Sequence, residues 1–120
     1  MHSYQDLLLW QRAMELAEVI YHNTATLPLA ERLGLGFQLR RLALAVPLHV
    51  AAHDSQRAST FLRGLQRAQR TLRHLEHQLV MAGRLQYWSG EQEEEITRHL
   101  AEVQRLLQAF LHSLCPPSES

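Results

Sequence analysis

The chain has no lysine, one cysteine, no net charge and no long apolar run, and each shortage closes a class of explanation. A single thiol, Cys115, cannot form an intrachain disulfide. No N-terminal segment joins a basic start, an apolar run and a small-residue cleavage site, so a reducing cytoplasm is the expected compartment. The longest apolar stretch, residues 42–48, falls far short of the roughly 20 residues that cross a bilayer, so no membrane partner is expected. Also missing are a GxSxG elbow, a P-loop, and a third glycine that would extend the Gly34 and Gly36 pair into a dinucleotide fingerprint. The residues point to no enzyme, no cofactor and no metal.

What remains is helical. At 120 residues and 46% hydrophobic content the chain can bury one core without disulfide or metal staples. The expected organisation is a single domain over residues 1–115 followed by a disordered tail, residues 116–120, after Pro116 and Pro117 stop the last helix. In the first segment Leu7, Trp10, Met14, Ala17 and Tyr21 recur at helical spacing, widened by Ala13, Leu16 and Ile20. Ser3 or Asp6 is the candidate cap, and Pro28 sets the end near Leu27. A short connection follows, with Gly34 and Gly36 as its flexible points.

The segment from 38 to 53, QLRRLALAVPLHVAAH, is too apolar for an ordinary surface helix. Helical spacing puts Leu35, Leu39, Leu42, Val46 and Val50 on one face and Phe37, Leu44, Leu48 and Ala51 roughly opposite. One face suits the core, and the other needs neighbouring helices or a second subunit, because large apolar patches are uncommon on monomers. Phe37, Leu44, Pro47 and Leu48 are thus the candidate oligomer interface. Pro47 lacks an amide hydrogen for the Ala43 carbonyl, which predicts a kink or two short helices.

The third helix should start after Asp54 or Ser55 and run to about Gly83. Phe61, Leu65, Ala68, Leu72, Leu75, Leu79 and Ala82 alternate spacings of four and three, the seam of a bundle. Opposite lie Arg63, Arg67, Arg70, His74 and His77, with Arg73 nearby, and Glu76 is the only acid in the helix to pair with them. Ser89 and Gln92 form a capping box for the fourth helix, whose seam is Ile96, Leu100, Val103, Leu107, Phe110 and Leu114. Glu91, Glu93, Glu94 and Glu95 fall in its first turns, where negative charge suits the helix dipole. These elements predict an all-α fold, an antiparallel up-and-down four-helix bundle with its second helix kinked at Pro47.

Charge is segregated although it sums to zero. Residues 1–31 hold one arginine against four acids (net −3), residues 32–84 nine against two (+7), and residues 85–120 two against six (−4). A basic middle with acidic ends supports two readings. The arginines either meet phosphate, or they are neutralised by acidic segments of neighbouring subunits in a purely structural or protein-interaction assembly. A third reading, a metal or small-molecule site at His49 and His53, lacks the core carboxylates that a bundle metal site uses.

Several stretches carry a family resemblance: DLLLWQRAMELA at 6–17, LP-x-x-E-R-x-G-L at 27–35, QLRRLALAVPLHVA at 38–51, LRHLEHQL at 72–79 and YWSGEQ at 87–92. Together they resemble bacterial four-helix bundle proteins related to those encoded in intervening sequences of large-subunit ribosomal RNA genes, and to accessory proteins of diversity-generating retroelements. Arg40 and Arg41 followed by Pro47 are the most specific part, with Trp10 a second marker. The resemblance implies a ring-like homopentamer and, for the retroelement branch, a basic surface that binds RNA or DNA and a protein partner. Candidate nucleic-acid contacts are therefore Arg40, Arg41, Arg63, Arg67, Arg70 and Arg73. After Pro47 the family usually reads Ser-Asn-Ile-Ala-Glu-Gly, where this chain has Leu48, His49, Val50, Ala51, Ala52 and His53.

Overall fold

The computed structural model describes residues 4–51 and 58–114. Its elements are α1 (Tyr4–Thr24), a 3-10 turn (Leu29–Glu31), α2 (Leu35–Ala51), α3 (Ala58–Arg84) and α4 (Gly90–Leu114). Each long helix packs on two neighbours, α1 on α2 and α4, and α3 on α2 and α4, while the diagonal pairs do not meet among the described residues. This closed square of antiparallel helices is the up-and-down bundle that the helical periodicities predict. Ser3, Asp54, Ser55, Cys115 and the tail lie outside the described residues, so the expectations placed on them do as well.

The α3 seam forms as its spacing dictates. Leu65, Ala68, Leu72, Leu75, Leu79 and Ala82 are buried and Phe61 packs beside them, meeting Phe110 of α4 edge to face at 5.4 Å between ring centroids. Burying each such leucine contributes about 1.5–3 kcal/mol, so this one stripe supplies a large part of the core. On α4, Ile96, Leu100, Val103, Leu107 and Phe110 are buried, but Leu114 lies past the last core layer and is exposed. The α1 stripe is rotated from the predicted one. Leu9, Ala13, Leu16, Ala17 and Ile20 form its buried line, whereas Leu7 and Tyr21 are each 41% exposed. The neighbours decide this: α2 and α4 pack on α1, whose buried side carries Leu9, Leu16 and Ile20 with Ala13 and Ala17, and Leu7 and Tyr21 fall to its flanks.

On α2, Leu39, Ala43, Val46, Pro47 and Val50 are buried, Leu35 and Leu42 are half-buried, and Phe37, Leu44, Leu48 and Ala51 face outward. α2 runs unbroken through Pro47, so two short helices do not form. Gly36 is not a hinge. It lies inside α2 without positive φ, and a Cβ there would come within 3.2 Å of both the Glu31 carbonyl and Leu27. Its role is close packing of the 3-10 turn on α2. Further along, a Cβ on Gly64 would lie 2.8 Å from the His49 carbonyl oxygen, so α2 and α3 touch backbone to side there only because position 64 is glycine.

α1 ends at Thr24, earlier than Pro28 alone suggests. The Thr24 and Thr26 hydroxyls donate to the Tyr21 and Asn23 carbonyls, competing with helix continuation. At the other turn of the bundle α3 closes in a Schellman motif, with the Tyr87 amide donating to Ala82 and the Gln86 amide to Gly83. The left-handed position, at φ 62°, is occupied by Gln86 rather than glycine.

Candidate nucleic-acid interface

Because the α3 seam faces inward, the same helix must turn Arg63, Arg67, Arg70, Arg73, His74 and His77 to the surface, and all six are exposed. The four arginines cover about 15 Å of helix at 1.5 Å per residue. None is in ion-pair contact with a carboxylate among the described residues. The pairs found there, Arg12 with Glu15 and Arg105 with Glu102, are local contacts within α1 and α4. The row also carries His49, contributed by the end of α2. Burial first, then the nearby guanidinium groups of Arg67 and Arg70, hold its imidazole below the ordinary value of 6.5. At neutral pH His49 is therefore a neutral donor and acceptor beside fixed positive charge, a combination suited to phosphate oxygens.

Arg40 and Arg41 do not join this row. Arg40 is half-buried and turns to α1, where its Nε donates to the Thr24 hydroxyl at 2.7 Å and its Nη2 to the Tyr21 carbonyl at 3.1 Å. Its guanidinium carbon lies 4.9 Å from the centroid of the Tyr21 ring. It caps the C-terminus of α1, satisfying a carbonyl where the helix dipole favours a cation. Arg41 is exposed, and helical spacing places it among Phe37, Leu44 and Leu48. Of the four candidate interface residues those three are open to solvent, and Pro47 is buried within the protomer and supports that face from behind.

The acidic cluster occupies the opposite end of the bundle from Arg63 and Arg67. The capping box forms, the Ser89 amide donating to the Gln92 side chain and the Gln92 amide to the Ser89 hydroxyl. Sequence reasoning found that box but missed the hub it serves. Buried Asn23 donates to the Val19 carbonyl at 2.8 Å and to Glu95 at 3.0 Å, and it accepts from the Gln92 amide group, which also donates to Thr26. Glu95 thus joins α4 to α1, while Glu91, Glu93 and Glu94 stay exposed. Nearby, the Tyr87 hydroxyl donates to Glu31 at 2.7 Å, and this bond raises the Tyr87 phenol above 10.0. An asparagine followed by threonines at a helix end was the one signal in the sequence for the hub; nothing local pointed to the contact between Tyr87 and Glu31.

Among the described residues no group of three histidine, cysteine or carboxylate side chains gathers to hold a metal, and His53 lies outside them. No described helix is long and apolar enough to cross a membrane. The family model described as 23S rRNA-intervening sequence protein matches residues 5–109. No curated protein matches the chain. With nearly the whole bundle inside the match, the chain belongs to the 23S rRNA-intervening sequence protein family.

Proposed function

We propose that this member of the 23S rRNA-intervening sequence protein family is a non-enzymatic, cytoplasmic, RNA-associated scaffold that works as a homo-oligomer, in the pentameric form that the resemblance implies. The exposed α3 row of Arg63, Arg67, Arg70 and Arg73, without carboxylate partners among the described residues, carries this reading. Uncompensated like charges repel one another and are useful when an anion spans them, and guanidinium groups suit phosphate through paired hydrogen bonds. With no groove-entering motif, binding rests on the phosphate backbone and is indifferent to sequence. The outward face of α2, Phe37, Leu44 and Leu48 around Arg41, is the proposed subunit contact, and a ring would repeat the arginine row around its circumference.

Native mass measurement with and without structured RNA tests both halves. The expected result is an oligomer whose RNA complex weakens steeply with salt. Each phosphate contact removed in Arg63→Ala, Arg67→Ala and Arg70→Ala should lower the salt slope by roughly one. No complex at low salt, or a triple variant that binds unchanged, overturns the RNA half; a clean monomer at micromolar concentration overturns the oligomer. A second reading draws on the exposed Glu91, Glu93 and Glu94, which stand at the far end from Arg63 and could neutralise a neighbour's arginines. In that case charge reversal at those glutamates dissociates the oligomer, and RNA is never bound.

A further inference from the structure

We propose that a surface recess between the end of α1 and the start of α2, bounded by Thr24, Ala25, Arg32, Gly36 and Arg40, binds a phosphate group. The recess measures 300 Å³, ample for one. Two arginines line it from different elements, Arg32 from the turn before α2 and Arg40 from within the helix. Neither is in ion-pair contact with a carboxylate among the described residues. Glu31, next to Arg32 in the chain, instead accepts from the Tyr87 hydroxyl. Arg40 is held in place by its bonds to Thr24 and Tyr21 and by the Tyr21 ring, which use two of its N–H donors and leave the rest of the guanidinium available. A cation fixed before its ligand arrives loses little conformational freedom on binding, and arginine keeps its charge across the whole accessible pH range.

Capping α1 accounts for the two bonds of Arg40, but not for Arg32 at the same hollow, whose side chain has no hydrogen-bond or ion-pair partner among the described residues. The site lies at the opposite end of the bundle from Arg63 and Arg67 and does not depend on the reading of the α3 row, so either can fail alone.

The test is a titration of the protein with inorganic phosphate, following the arginine Nε–H resonances by NMR, against sodium chloride of equal ionic strength. Saturable shifts confined to Arg32 and Arg40 are expected. Arg32→Gln should weaken binding roughly tenfold, the loss of charge-assisted hydrogen bonds, while Arg105→Gln leaves it unchanged. Arg32 is exposed, so its replacement leaves folding intact even where Arg40→Gln does not. Linear shifts that chloride reproduces, or an Arg32→Gln protein that binds as before, overturn the site. Competition then identifies the source of the group: displacement by a nucleoside monophosphate alone points to a small ligand, and displacement by a short RNA to a backbone phosphate.

Discussion

The two ends of the bundle are held by different means. Where α1 finishes and α4 begins, Asn23, Gln92, Glu95 and Thr26 interlock, Arg40 closes α1, and Tyr87 reaches Glu31. Where α2 finishes and α3 begins, the contact is steric. Gly64 lets the helices touch at His49, which lies near Arg67 and Arg70 of α3. The first end is fixed by matched donors and acceptors, and the second brings two helices into close contact beside a row of arginines. The proposed RNA-binding row of α3 thus begins at the end away from the polar hub.

Asn23→Ala should have the largest effect. It removes a buried hub and leaves Glu95 and Gln92 short of partners, at a cost of about 3 kcal/mol in denaturant unfolding. A loss well under 1 kcal/mol would show that the polar end does not depend on this network. Gly64→Ala tests the other end. The gain in helix propensity, about 1 kcal/mol, is outweighed by forcing a methyl against backbone at 2.8 Å, for a net loss of about 2 kcal/mol; a stabilised protein would mean that α2 and α3 can separate freely. Smaller and opposite in sign, Gln86→Gly should raise stability by about 0.5–1 kcal/mol, because glycine takes the left-handed cap position without strain.

The smallest effect separates the ends by pH. The Tyr87 phenol is raised by its bond to Glu31, so the folded state holds that proton more tightly than the unfolded chain does. Its contribution is complete below 10.0 and is lost as pH climbs through the raised folded value. The His49 imidazole is lowered by burial and by Arg67 and Arg70, so the unfolded chain takes up its proton first. Stability from this source is complete above 6.5 and falls as pH drops from there through the folded value. Hydrogen exchange followed by NMR should show alkali loosening the polar end and acid loosening the basic end. Tyr87→Phe should flatten the first response, and Arg67→Gln with Arg70→Gln should shrink the second. The same end opening under both conditions would break the distinction.

Much of this was legible in the residues. The α3 seam and its arginine flank follow from one helical period, and so does the exposure of Phe37, Leu44 and Leu48 opposite the buried face of α2. The capping box was readable because its donors and acceptors lie three residues apart. The roles of Arg40, Asn23 and Tyr87 were not, since the partners that tie them to other elements lie 16 or more positions away in the chain. The α1 stripe was misplaced because leucine, tyrosine and methionine surround the helix on several sides, and periodicity cannot choose among overlapping apolar faces without knowing where the neighbours stand.

By itself the sequence determined the elements: four helices, their approximate limits, and which face of α3 must be wet, because hydrophobic period and capping chemistry act over a few residues. Only the tertiary structure decided the use of each polar group. Arg40 and Arg63 have the same side chain, yet one is drawn into the end of α1 by a hydroxyl and a carbonyl that packing brings to it, and the other is left facing water. The free energy of a charge depends on its surroundings, and those are settled when the helices pack.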